Sequence, residues 1–212
     1  DLWNFSQPQI ATIPDTTILT NQLAHVNYQN VEINKNQVRL TDEKASLDLG
    51  FIAKGYIADK VAEFLESKGV TSAVVDLGGN IVVIGTKKDG SNWNVGIQKP
   101  FADRNEVIGS VSVQNKTVVS SGIYERYFEK DSEIYHHILD PNTGYPSVSD
   151  LEAVTIIGES SAIADALSTS CVLLGSDKGM ELVESIPEVE AVFVTRDGEI
   201  LESSGAKVQL VD

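Results

Sequence analysis

The chain has 212 residues, 42% of them apolar, which is enough for one large domain or two small ones with a proper core. Its formal net charge of -15 excludes nucleic-acid binding by bulk electrostatics, because phosphates would be repelled. The acidic residues are dispersed and read as a solvated surface, so a phosphate ligand stays admissible through a bridging cation.

No apolar stretch approaches the roughly 20 residues of a membrane span. The single cysteine, Cys171, allows no internal disulfide. It lies in the apolar run Cys171-Val172-Leu173-Leu174 and reads as a small core residue. The chain opens at Asp1-Leu2-Trp3 with neither Met nor a signal peptide, the expectation for a chain whose upstream segment has been removed.

Asp1 to Pro14 reads as an extended opening segment anchored by Trp3 and Phe5. A short helix is expected from about Thr17 to His25, with Asp15 and Thr16 near its cap. Val31-Glu32-Ile33 and Val38-Arg39-Leu40 alternate like the strands of a hairpin around Asn34-Lys35-Asn36. From Phe51 to Lys68 the apolar residues Ala53, Ile57, Val61 and Leu65 recur with the period of one helical face, and Gly69 stops the helix.

Strands follow at Val74-Val75, at Ile81 to Ile84, from Asn92 to Ile97, from Val107 to Val113 and from Lys116 to Ser120. Glu125 to Phe128 extends them. The chain then runs through a strand carrying His137 and into Ala153 to Ile157. Helices are predicted from Ser161 to Leu174, stopped by Gly175, and from Asp177 to Glu184. Val192 to Val194 and Glu199 to Leu201 close the chain as a hairpin around Asp197-Gly198. With no repeat and no linker, the reading is a single α+β domain, a mainly antiparallel or mixed sheet packed with helices.

Five segments can carry chemistry. Asp165 and Thr169 are four apart on a predicted helix, so their side chains share a face. A carboxylate and a hydroxyl are hard oxygen ligands, suited to Mg²⁺, with Ser168 beside them. The same spacing fits a polar stripe on a half-buried helix whose hydroxyls bond back to carbonyls. Asp48-Leu49-Gly50-Phe51-Ile52-Ala53-Lys54-Gly55-Tyr56 leads into a helix whose free N–H groups, with Lys54, suit an anion. It also fits an ordinary capped helix in which Gly55 allows close packing.

Asp76-Leu77-Gly78-Gly79-Asn80 fits a hairpin turn or a ligand-contacting turn, and Ser120-Ser121-Gly122 a small polar turn. In Tyr135-His136-His137-Ile138-Leu139-Asp140-Pro141-Asn142-Thr143-Gly144, adjacent histidines point to opposite faces and run into an Asp-Pro-Asn-Thr-Gly turn. One imidazole can then face a cleft and accept a proton from an attacking hydroxyl.

Together and in this order, with Trp93 to Ile97, Pro100 and Tyr124-Glu125-Arg126-Tyr127 between them, these segments resemble the ApbE family, the FAD:protein FMN transferases. The resemblance runs from about Asp1 to Leu174. It implies a Mg²⁺-dependent transfer of FMN from FAD to a Thr or Ser hydroxyl of an acceptor flavoprotein, with release of AMP. Position by position, Asp165 and Thr169 match metal ligands, and Phe51 matches the residue that lends the metal its main-chain carbonyl. Asp48, Lys54 and Leu139 match flavin-nucleotide contacts, and His137 the base for the acceptor hydroxyl.

Two departures stand out. Phe51 replaces a small residue, and Ser168 stands where some members have a second carboxylate. The first residues match a Leu-Trp segment well inside the family pattern, so further flavin contacts are expected outside this chain. The resemblance also implies a location outside the cytoplasm, lipid-anchored to the outer face of the cell membrane. FAD hydrolysis to FMN and AMP, and flavin binding without catalysis, are the alternatives.

Overall fold

The computed structural model describes residues 2–7 and 9–211. In chain order the elements are α1 (Thr16–Leu23), β1 (Val31–Asn34), β2 (Gln37–Leu40), α2 (Ala53–Ser67), β3 (Ser72–Asp76), β4 (Asn80–Gly85), β5 (Trp93–Gln98), β6 (Val107–Val113) and β7 (Thr117–Gly122). They continue with β8 (Tyr127–Lys130), β9 (Glu133–His136), β10 (Leu151–Gly158), α3 (Ser161–Leu174), α4 (Ser176–Glu184), β11 (Glu190–Thr195), β12 (Ile200–Glu202) and β13 (Val208–Leu210). Every strand pairing is antiparallel, as the α+β reading expects.

The backbone divides into two compact units. The first holds the described residues of Asp1–Leu49 with Arg126–Val148, and the second those of Gly50–Glu125 with Ser149–Asp212.

The first unit is organised by aromatic rings. Buried Trp3 stacks on Phe5 at 5.5 Å and on Tyr135 at 5.9 Å, and meets Tyr145 edge-on at 5.4 Å. Leu19 of α1 closes this cluster. Such rings combine large buried area with geometric preference, which suits a small unit with little regular structure. The opening segment turns at Gln7 and Ile10 rather than running extended, because Asn4 and Gln7 carbonyls accept local N–H groups. Asp1 and Pro8 of that segment lie outside the described residues. Asp15 caps α1, its carboxylate accepting from Thr17 and Ile18 N–H at 2.9 and 3.2 Å.

The second unit is built on a six-stranded sheet in the order β12-β11-β10-β7-β4-β3. β10 is its buried centre, with Leu151, Val154 and Ile156 all at 0% exposure. One face packs on the three-stranded sheet β13-β6-β5 through Val83, Val118, Ile157 and Val192 against Val95, Ile97, Val111 and Val113. On α2, Ala58 and Ala62 pack with Val75, Val82 and Ile84 of β3 and β4.

Here the structure departs from the apolar periodicity. Ile57 and Val61 of the expected face are exposed, and the buried residues of α2 are Gly55, Ala58 and Ala62. Small side chains win that face because α2 lies close on β3 and β4 at Ala58 and Ala62 and comes within contact of α3 at Gly55. A Cβ on Gly55 would lie 2.1 Å from the Ser161 carbonyl oxygen. Asp59 on the same helix reaches across to cap α3, accepting from Ser160 Oγ at 2.9 Å and from the N–H groups of Ser161 and Ala162 at 2.7 and 3.0 Å.

Candidate functional site

In the second unit the site residues gather where α2 begins against α3. Asp165 is 3% exposed, yet neither Lys nor Arg pairs with it among the described residues. Its Oδ2 accepts the Gly55 N–H at 2.9 Å, and its Oδ1 receives no hydrogen bond from the described residues. In a helix begun one residue earlier, the Gly55 N–H would bond the carbonyl of Phe51. Asp165 takes that amide, so the Phe51 carbonyl stays outside the helical ladder, and the first bond of this turn runs from Tyr56 N–H to Ile52 O at 3.0 Å. Among the described residues, no side chain caps the start of α2.

Thr169, half-buried one turn after Asp165, lies 3.3 Å from Ser121 Oγ. Ser168 is fully buried, 2.7 Å from Ser121 Oγ, and donates to the Asp165 carbonyl at 2.8 Å. Its hydroxyl is thus committed within the protein. Ser121 itself sits in β7. The segment Ser120-Ser121-Gly122, read from its composition as a turn, is interior strand, with Ser120 Oγ 2.9 Å from Thr155 Oγ1. The strand's own pairing partners override the turn-forming tendency of Ser-Ser-Gly.

Lys54 Nζ donates to the Gly78 carbonyl at 3.2 Å, which ties the start of α2 to the β3–β4 turn. That turn is a hairpin connection in which Gly78 and Gly79 take positive φ (71° and 89°) and Asp76 Oδ1 accepts the Gly78 N–H. The residue that follows, Asn80, is 0% exposed, and neither polar atom of its amide has a partner among the described residues.

The first unit holds Asp48, His137 and Leu139. Asp48 is exposed and lines a cavity of about 330 Å³ that also includes His25 and Tyr28. Leu139 packs on the Trp3 cluster and pairs with Pro146 across the Asp140–Gly144 turn. Inside the turn, Asp140 Oδ1 accepts from Asn142 N–H at 2.8 Å, and Gly144 takes φ 71°.

β9 ends at His136, so His137 lies just past the strand rather than in it. His136 is buried and His137 half-buried, as alternation expects. His137 Nδ1 lies 3.2 Å from the Arg126 carbonyl. A carbonyl only accepts, so Nδ1 carries the proton and Nε2 is the basic nitrogen.

The donor set in the second unit fits a hard divalent cation. It combines a buried carboxylate that, among the described residues, lacks a counter-charge and has one oxygen uncommitted, a main-chain carbonyl left out of its helix, and a hydroxyl on the carboxylate's own helical face. With one carboxylate only, it is not a cluster of three His, Cys, Asp or Glu side chains, and none occurs among the described residues.

Residues 1–193 match the family model described as the ApbE family. The chain belongs to the ApbE family. It is 38% identical over 200 residues to a Klebsiella pneumoniae protein named FAD:protein FMN transferase, covering 93% of this chain and 61% of that one. It is 37% identical to a Treponema pallidum protein of the same name, covering 100% and 63%. The crystal structure of the ApbE protein of Thermotoga maritima superposes with a TM-score of 0.85 at 33% identity, over 96% of this chain and 66% of that one. The chain therefore spans about three-fifths of the length of these curated ApbE relatives.

Sequence reasoning named Ser121 and Asn80 only as parts of turns, and did not anticipate that Ser121 meets Ser168 and Thr169. Ser121 carried a usable signal, since it follows Val119 at the two-residue period of a strand face. Nothing in the sequence marks Asn80 as buried without a partner.

Proposed function

We propose that this chain moves FMN from FAD onto a Thr or Ser hydroxyl of an acceptor flavoprotein and releases AMP, with Mg²⁺ as its cofactor. Membership of a family whose curated relatives are named FAD:protein FMN transferase supports the reaction class. The observation that carries the reading is Asp165, a buried carboxylate with no cationic partner among the described residues, beside an α2 start that leaves the Phe51 carbonyl outside the helical ladder.

Asp165, Thr169 and the Phe51 carbonyl would hold Mg²⁺, which when bound neutralises diphosphate charge and the charge that builds on the leaving group. The N–H groups at the start of α2 supplement that neutralisation. Asp48, Lys54 and Leu139 contact the flavin nucleotide. His137 Nε2 accepts the acceptor's hydroxyl proton, with Nδ1–H on the Arg126 carbonyl holding the ring in the basic tautomer. The acceptor oxygen then bonds to the FMN phosphorus as the bond to the bridging oxygen breaks, and that oxygen leaves with AMP. The outer face of the cell membrane is the proposed location; no helix among the described residues is long and apolar enough to cross a membrane.

The test is incubation with FAD, Mg²⁺ and an acceptor flavoprotein. A covalently fluorescent acceptor band is expected, absent with Asp165→Ala. His137→Gly should lose transfer and keep FAD affinity. Free FMN without a labelled acceptor would mark a pyrophosphatase instead, and FAD binding without turnover a flavin-binding module.

A further inference from the structure

The Asp165–Thr169 face of α3 carries a run of hydroxyls whose direction is fixed at one end. Ser168 Oγ donates to the main-chain carbonyl of Asp165 at 2.8 Å. A serine hydroxyl has one proton. Ser168 therefore has none to give Ser121, whose Oγ is 2.7 Å away, and Ser121 must be the donor in that pair. With its own proton spent there, Ser121 can only accept across the 3.3 Å to Thr169 Oγ1. The protons run in one order, from Thr169 to Ser121, from Ser121 to Ser168, and from Ser168 to the Asp165 carbonyl.

A hydroxyl that ligates a hard cation must present a lone pair and turn its proton away. Left to rotate, it also samples orientations that aim the proton at the cation. We propose that Ser121 is a positioning residue for cation binding: by accepting the Thr169 proton it presets the Thr169 lone pairs as a ligand. This rests on the reading of Asp165 and Thr169 as Mg²⁺ ligands. Ser121 belongs to β7 and Thr169 to α3, so the strand holds the helix hydroxyl in its ligating orientation before any cation arrives. The hydroxyl run has its fixed end on the main-chain carbonyl of Asp165, and the Asp165 carboxylate is held separately by the Gly55 N–H.

The experiment is a Mg²⁺ titration of the protein, followed by calorimetry and by the Mg²⁺-induced rise in melting temperature. Ser121→Ala should raise the Mg²⁺ dissociation constant about tenfold, the lower end of what outer partners of metal ligands contribute. In transfer assays its KM for Mg²⁺ should rise while kcat at saturating Mg²⁺ is retained. Ser121→Thr keeps the hydroxyl and should restore wild-type affinity. Thr169→Val serves as the reference loss.

If Ser121→Ala binds Mg²⁺ like the wild type while Thr169→Val does not, the positioning role is wrong. The same holds if Ser121→Ala melts lower with its Mg²⁺ affinity unchanged, which marks a packing role. If Thr169→Val also binds normally, or the wild type takes up no Mg²⁺, the ligand assignment has failed and the positioning role falls with it.

Discussion

Gly55→Ala is expected to destabilise the second unit, although Ala is the better helix former. An added Cβ would stand 2.1 Å from the Ser161 carbonyl oxygen, 2.5 Å from its carbon and 2.8 Å from the Ala162 Cα. Ordinary contact begins near 3.4 Å, so α2 must withdraw from α3 by about 1.3 Å. The obstacle is backbone, and no rotamer change relieves it. Overpacking of this kind costs about 1–3 kcal/mol. Moving α2 also stretches the Gly55 N–H bond to Asp165 Oδ2, a buried bond to a charged group whose loss costs about 1.5–3 kcal/mol. Against these stands a helix-propensity gain of about 1 kcal/mol.

The net loss is about 3 kcal/mol, which in a protein of this size lowers the melting temperature by about 6–12 °C. Thermal unfolding followed by circular dichroism reads it directly. Gly158→Ala is the control, since its added methyl has no neighbour closer than 3.8 Å. A Gly55→Ala protein that melts at or above the wild-type temperature would refute the close-packing argument.

Asn80→Leu should stabilise the protein by about 1–3 kcal/mol in urea unfolding, because it removes a fully buried amide with neither polar atom partnered among the described residues; a loss of stability would refute this reading of the amide. Burial pushes the Cys171 thiol up to about 11, so alkylation by iodoacetamide at pH 8 should be slow in the folded protein and become fast in urea. Hydrogen bonds from Ser176, its hydroxyl first, hold the Asp150 carboxyl below the usual range. A depressed folded pKa stabilises above the unfolded value and is lost as pH falls through the folded one. Ser176→Ala should therefore be less stable than the wild type at pH 7, with the gap closing as pH drops below Asp150's titration. A gap that is constant with pH would assign the loss to packing instead.

Much of the frame was legible locally. The helix from Ser161 to Leu174 appears at the expected residues, with Gly175 at its end. The hairpin around Lys35-Asn36, the strand Val107–Val113 and the Asp15 cap also follow from neighbouring residues alone. So does the shared face of Asp165 and Thr169, because a helix places residues four apart together wherever it packs. The ordered motifs also carried the family resemblance.

Tertiary structure decided the rest. It chose the Gly55, Ala58 and Ala62 face of α2 over the more apolar one, because approach to α3 at Gly55 and to β3 and β4 at the alanines is limited by side-chain size, not hydrophobicity. It turned Ser120-Ser121-Gly122 into interior strand, where Ser120 meets Thr155 and Ser121 meets Ser168 and Thr169, 35 to 48 residues away in sequence. It also gave the Gly55 amide to Asp165, 110 residues away, in place of the Phe51 carbonyl. Hydrogen-bond partners this remote are fixed only when strands and helices pack, whereas caps, turns and helical faces are set by residues a few positions apart.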